Sequence, residues 1–414
     1  MKYCKRCLYP ENHPLNITFD EQGICSGCRV HEEKDIFDWE ERLEKLKLIV
    51  KNYRSTTRNI HDCIIPVSGG RDSYFIVHFV KNVLKLHPLL VTYNKHYNTH
   101  RGIRNQAYLH SLLGCDIIGN TVSPEKVKRI TRATLRLRGS MYWHCIAGQT
   151  VFPVRQAVGY KIPLIIWGAH QGNDQVGMFS HLDEVEMTRK YRKEHDLMGL
   201  EAEDLAEQSE LQIGELEPYI YPHDKELASL GVRGIYLNNY IRWDSKAQHE
   251  KMIKLYGYET ALQQRTFDTY NDIDCFHYSG LHDYIKFLKW GYGKVYDHAS
   301  REIRLRRMTR SQGIDMVKKY GNIYPSDIRL FCEWIGMTER ELFSHIDKFR
   351  NPAIWKRTED DWKLKDSVIN HEYDEGADDA ALPIADNECY FIPDSSRCDK
   401  KETKYILLGK GWVH

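Results

Sequence analysis

Six residues, SGGRDS at 68–73, most limit what this chain can fold into. They follow the apolar run DCIIPV and precede SYFIVHFVKNVLKL, whose apolar residues recur at helical spacing. The order is therefore strand, small-residue turn, helix. Gly69 and Gly70 let backbone N–H groups come close to an anion, and the following helix adds the positive end of its dipole. A plain tight turn capped by Ser68 or Ser73 uses the same residues. The pattern is not G-x-x-x-x-G-K-[ST], because no lysine follows the second glycine.

The rest of the chain sets the frame for that loop. Its 414 residues exceed the usual size of one domain, and 42% apolar content is enough for a sizeable core. The net charge of +1 gives no global case for nucleic acid or a membrane surface. No stretch reaches the roughly 20 apolar residues a bilayer span needs, and the start MKYCKRCLYP lacks a secretory core. The expectation is a cytoplasmic protein with no membrane and no nucleic acid among its partners.

Eleven cysteines in such a chain point to metal binding or free thiols rather than disulfides. Cys4, Cys7, Cys25 and Cys28 form two C-x2-C pairs separated by 17 residues. That spacing reads as a tetrahedral Cys4 zinc site, with an iron–sulfur cluster as the competitor. The segment is too short to bury much core, so the metal would supply its folding energy. His13 and His31 are read as ordinary surface histidines. Ile36, Trp39, Leu43, Leu46 and Ile49 then mark one face of a linking helix that docks the module.

From residue 62 short apolar runs alternate with helical stretches. HPLLVTYN, CDIIGN, IPLIIWGA and RGIYLNNY are the further strands, which predicts an α/β fold with a parallel sheet. Ligands of such sheets bind at the carboxyl ends of the strands. Three polar loops converge there: SGGRDS, YNKHYNTHRG and WGAHQGNDQ.

The order strand–SGGRDS–helix resembles the PP-loop, SGGxDS, of ATP pyrophosphatases, which split ATP between its α and β phosphates. The resemblance implies a HUP-like sheet flanked by helices. It also implies that Ser68, Gly69, Gly70, Arg71, Asp72 and Ser73 hold the ATP phosphates. Tyr93 and Asn94 would face adenine or ribose. Asp72, Ser73, His170 and Asp174 become the catalytic candidates, Asp72 orienting the loop or holding Mg2+ and the pair His170 and Asp174 holding Mg2+ or pyrophosphate. A loop-stabilising hydrogen-bond pair is the other reading of His170 and Asp174.

Longer motifs extend the likeness. YCKRCLYPENHP with GICSGC, DCIIPVSGGRDS, IIWGAHQGND, GIYLNNYIRWD, HYSGLHDYIKFLKWGYGKVYDHASREIRLRRMTR and DKFRNPAIW span residues 3 to about 366. Together they resemble the N-acetyl sugar amidotransferase family of bacterial surface-glycan pathways, both lipopolysaccharide and flagellin glycosylation. The resemblance implies conversion of an acetamido group on a sugar or nucleotide-sugar to acetamidino, using ATP and Mg2+ with structural Zn2+. It implies ammonia from a partner glutaminase subunit, delivered through a cyclase-like channelling subunit. No glutaminase signature stands in the chain itself. Arg71 occupies a place where the family loop commonly carries lysine.

The sugar needs its own site. Arg301, Arg304, Arg306, Arg307 and Arg310 fall on one presumed helix, and Arg301, Arg304 and Arg307 suit a diphosphate or a carboxylate. A solvated basic face or a domain-interface ion network is the competing reading. His277, His282 and Asp283 are polar neighbours on an apolar stretch, and the two histidines join the substrate candidates. Lys126, Arg129, Arg132 and Arg136 read as an exposed basic face, and Cys145 as a buried residue rather than a sulfur carrier.

The expected organisation is a Cys4 zinc-binding module at 1–32, a linking helix at 33–60 and an ATP-binding domain at 61–245 with a charged insertion at about 182–230. A mostly helical substrate or partner region at 246–366 and an acidic tail at 367–414 with a short strand, KYILLG, complete it. A tRNA-thiolating PP-loop enzyme and a nucleotide-sensing zinc protein are the alternative functions. The first calls for a basic footprint and paired catalytic cysteines.

Overall fold

A computed structural model describes residues 1–55, 61–359, 361–377, 392 and 396. Five strands form a parallel sheet: β1 (Cys63–Pro66), β2 (Pro88–Tyr93), β3 (Ile117–Asn120), β4 (Leu164–Trp167) and β5 (Arg233–Tyr236). Their order is β3-β2-β1-β4-β5. All five lie in the runs read as strands from the sequence.

Side-chain alternation explains why both faces of the sheet are covered. Ile65, Leu90, Ile166 and Ile235 point into one core with Tyr74 and Val77 of the helix Arg71–His78 and Met252 of the helix Ser245–Tyr256. Their neighbours Ile64, Leu89, Val91 and Ile165 enter the opposite core with Val151, Val154 and Ala157 of the helix Trp143–Tyr160. Strands buried on both sides have to be continuously apolar, and Ile64–Ile65, Leu89–Val91 and Leu164–Ile166 of the three central strands are. The order reverses between β1 and β4, so the carboxyl end of β1 opens on the crevice where such sheets bind ligands.

The segment after the sheet is mostly helical, including Leu281–Trp290, Lys294–Arg304, Arg310–Tyr320, Ile328–Ile335 and Glu339–Ile346. It also holds an antiparallel hairpin, Trp355–Arg357 against Trp362–Leu364, that sequence reading missed. The cysteine module rests on this segment. Tyr3, Leu8 and Tyr9 share a core with Val295, Ala299, Ile303 and Ile314.

Three local expectations change. The helix expected over 33–60 begins at Trp39, capped by Asp38, and Ile36 is 81% exposed. It buries Leu46 and Val50 in the sheet core, not against the cysteine module. The arginine-rich helix ends at Arg304, and Arg306 takes a left-handed φ of 59°, so Arg307 and Arg310 are not on it. The insertion at about 182–230 packs onto the rest of the chain: Leu200, Leu205 and Leu216 share a core with Val127, Ile130 and Trp143 of the preceding helices. Residues 56–60 of the linker and the strand expected at KYILLG lie outside the described residues.

Candidate functional site

The loop after β1 is held open by small residues and hydroxyls. Ser73 Oγ accepts the Ser68 N–H at 2.9 Å, and Ser68 Oγ accepts the Gly70 N–H at 3.0 Å. Gly70 caps the helix Arg71–His78 without any side chain on its first N–H groups. A Cβ on Gly69 would collide with the Gly102 carbonyl, and one on Gly102 would collide with the backbone of Asp274. Three chain segments thus stack at backbone distance, and the loop faces a cavity of about 630 Å³.

Ion pairs build the cavity wall. Lys95 donates to Asp274 at 2.5 Å, with both side chains 6% exposed. Lys286 pairs with Asp297 at 2.6 Å, and Lys294 with Asp272. Asp174 accepts from Lys34 at 2.5 Å. Burial pushes the Asp174 carboxyl up, but the Lys34 ammonium outweighs it and holds the group at about 2. Asp72 goes the other way: burial raises it, Asp272 and Asp174 add repulsion, and Arg71 only partly offsets them. Facing carboxylates of this kind are a donor set that a divalent cation relieves. Beside the loop, Val67, Ile76, Val91, Tyr93 and Trp167 line a recess of about 180 Å³ with little polar surface.

The structure sorts the residues singled out from the sequence. Ser68, Gly70, Arg71, Asp72, Ser73, His170, Asp174, His282, Arg301 and Arg304 line the cavity. Gly69 backs the loop, and Tyr93 lines the recess with its hydroxyl bonded to Tyr219 at 2.7 Å. Three candidates sit elsewhere. Asn94 braces its own turn, accepting the His96 N–H at 3.0 Å and the Asn98 amide at 2.7 Å. His277 is buried against Asp327 at 2.6 Å. Arg307 is tied to Glu302 and, at 2.8 Å, to Asp244. None of these three lines the cavity.

Arg301 reaches the wall already engaged, donating to Asp268 at 2.8 Å and Glu302 at 2.7 Å. Lys95, Asp272, Asp274, Lys286 and Lys294 escaped sequence reading. Lys95 adjoins Asn94 in a loop that was recognised, and the acids stand in NDIDC, but only the fold shows which face the cavity.

The four Cys4-module sulfurs lie within 4.8 Å of one another, all buried. A tetrahedral ion with bonds of about 2.3 Å spaces its sulfurs about 3.8 Å apart; Cys7 and Cys25 are 3.5 Å apart and Cys4 and Cys28 4.0 Å. The thiols therefore fit one ion, whereas an iron–sulfur cluster would spread them wider. Arg304 sits over them, with Nε 3.4 Å from Cys28 Sγ and Nη2 3.5 Å from Cys25 Sγ. Its Nη1 donates to the Gln175 carbonyl at 2.5 Å. Its charge offsets thiolates, and the guanidinium expected to bind substrate joins the cysteine module to the loop after β4 while it lines the cavity. Tyr9 and His13 of the module line the cavity too.

Two predictions arise here. Lys95→Met strands a buried carboxylate on Asp274 and is expected to lower stability by about 3–5 kcal/mol in urea unfolding. The second concerns acid. Burial lowers His170 to about 4 and His144, His249 and His282 to about 3. Between those values and about 6.5 the unfolded chain binds more protons than the folded one. The stability these neutral imidazoles bring is complete above that window and is lost as pH falls through it. Each histidine costs roughly 2 kcal/mol at pH 5, so acid unfolding is expected above pH 4.5. A melting temperature unchanged between pH 7 and pH 5 contradicts this.

The sheet, the small-residue loop after β1 and the tetra-cysteine module define an α/β protein with a polar cavity at the switch point of a parallel sheet. Residues 264–368 match the family model described as LPS biosynthesis protein WbpG-like, C-terminal domain. No curated protein matches the chain. The matched stretch carries Asp272, Asp274, His282, Lys286, Lys294 and Arg301, the wall facing the loop. No helix among the described residues is long and apolar enough to cross a membrane.

Proposed function

We propose that this chain is an ATP-dependent amidotransferase of surface-glycan biosynthesis, converting an acetamido group of a sugar or nucleotide-sugar to acetamidino. The observation that carries the reading is that the SGGRDS loop and the stretch similar to a lipopolysaccharide-biosynthesis domain wall one cavity. An amide oxygen is a poor leaving group. In the proposed reaction it attacks the α-phosphorus, pyrophosphate departs, and an O-adenylyl imidate forms. Ammonia adds to the imidate carbon, a proton is lost, and AMP leaves with the former amide oxygen.

Each part of the wall serves this scheme. The N–H groups of Arg71–Ser73 at the uncapped start of the helix, with its dipole behind them, hold the phosphates. Arg71, whose Nη1 has no acceptor among the described residues, offsets charge that develops on them. Asp72 and Asp272 would hold Mg2+, which when bound neutralises the departing pyrophosphate. The apolar recess beside Tyr93 takes the adenine. His282 stacks with Tyr278, ring centres 4.9 Å apart, and offers the sugar a flat face. Zn2+ belongs in the thiolate site as a structural ion. Ammonia comes from a partner glutaminase through a channelling subunit.

Cys145 does not favour sulfur transfer, because it is fully buried and burial pushes its thiol up. The test is to supply ATP, Mg2+, an ammonium salt and a panel of acetamido sugars. Sugar-dependent AMP and pyrophosphate with an amidine product are expected. AMP formation that responds to tRNA and to no sugar contradicts the reading.

A further inference from the structure

The substrate's charged group needs a receiver, and the arginines picked from the sequence are committed elsewhere. Arg304 serves thiolates, Arg307 serves Glu302 and Asp244, and Arg301 serves Asp268 and Glu302. The β4 side of the cavity differs. Besides the Tyr191 hydroxyl, which can also accept, three buried donors on residues lining it have no acceptor among the described residues: Trp167 Nε1, His170 Nε2 and Arg192 Nε.

These atoms can only donate. His170 Nδ1 accepts the Gly172 N–H at 3.1 Å, so the proton of the neutral ring is on Nε2. Indole and guanidinium nitrogens carry no acceptor. The three residues are packed together. The Arg192 guanidinium lies 4.5 Å over the Trp167 ring, and the His170 and Trp167 rings both contact Tyr236. Arg192 and His170 are 8% and 2% exposed. Arg192 is held in place by Asp196 at 2.5 Å through Nη1 and the Tyr236 hydroxyl at 3.0 Å through Nη2, which leaves Nε as its one nitrogen without a partner among the described residues. Buried donors are costly to leave unpaired. Three together call for a group rich in lone pairs and poor in hydrogens, and a hydroxyl meets that less well than an oxyanion.

We propose that Trp167, His170 and Arg192 form an oxyanion subsite that takes a carboxylate or phosphate carried by the acetamido sugar. It deepens, and rests on, the sugar-amidating reading. It also gives the charged insertion a role, since Arg192 comes from that insertion and completes the site.

The test reads the donor itself. The full chain, labelled with 15N-tryptophan and saturated with an ATP analogue bearing a methylene between the α and β phosphorus, shows its indole N–H resonances. Trp167→Phe assigns one of them. UDP-N-acetylglucosamine supplies the phosphate arm, N-acetylneuraminic acid the carboxylate arm and N-acetylglucosamine the neutral control. The Trp167 indole is expected to move downfield with at least one anion and to stay put with the neutral sugar; the responding arm names the source. Arg192→Lys, which keeps the charge and loses Nε, is expected to weaken that titration roughly tenfold. An equal response to N-acetylglucosamine, or no response of that indole to either anion, overturns the subsite. Failure to form amidine while the indole responds would sink the reaction and leave the subsite standing.

Discussion

Cys25→Ser is expected to strip the tetra-thiolate site of its ion and to unfold the module around it. Structural zinc sites of this kind supply an apparent folding free energy of about 10–16 kcal/mol, more than the core that Tyr3, Leu8 and Tyr9 share with Val295 and Ile303 can replace. The effect should reach the cavity, because Arg304 spans the thiolates and the Gln175 carbonyl and because Tyr9 and His13 form part of the wall. Lys34, which holds Asp174, follows directly on the module. Elemental analysis should find one zinc per wild-type chain and none in the variant, and nucleotide affinity should fall with it. A variant that loses the metal and still binds nucleotide as wild type does would show that the module is a bystander. Iron with acid-labile sulfide in the wild type would refute the single-ion geometry.

Gly69→Ala is expected to abolish most turnover while leaving the protein folded. The new methyl meets the Gly102 carbonyl, and Gly102 has no room to retreat because it already presses on Asp274. The loop must therefore shift, and a displacement near 1 Å in a positioning element costs on the order of 10²-fold in rate. Gly159→Ala is the control, since a Cβ there meets nothing within 4 Å. Sugar-dependent AMP formation in the two variants separates the outcomes. Equal rates would show that the loop does not position phosphate.

The parallel sheet was legible because each strand is a short apolar run closed by polar or glycine-bearing residues, with a helical pattern between. The loop was legible because its constraint is local: small residues between a strand and a helix. What failed was long-range. Nothing in REIRLRRMTR marks the break after Arg304, for it contains neither glycine nor proline, and the left-handed Arg306 is settled by packing. Read as one helix, its arginines seemed to share a face. In the fold Arg304 goes to the cysteines near the start and Arg307 to Asp244, partners far away in sequence. Lys95 and Asp274 are likewise 179 residues apart, and neither one alone announces a buried pair. The hairpin at 355–364 has strands of three residues, too short for alternation to register. His170 was found from its loop, but Arg192 was lost in a run of charges read only as an insertion.

The most direct measurement of the central claim follows one oxygen atom. An acetamido sugar labelled with 18O in its amide carbonyl is incubated with the protein, ATP, Mg2+ and ammonium, and the nucleotide product is analysed by mass spectrometry. Adenylation of the amide predicts one 18O in the phosphate of AMP for each amidine formed, and unlabelled pyrophosphate. Label retained in the sugar, or found in inorganic phosphate beside ADP, would contradict the account.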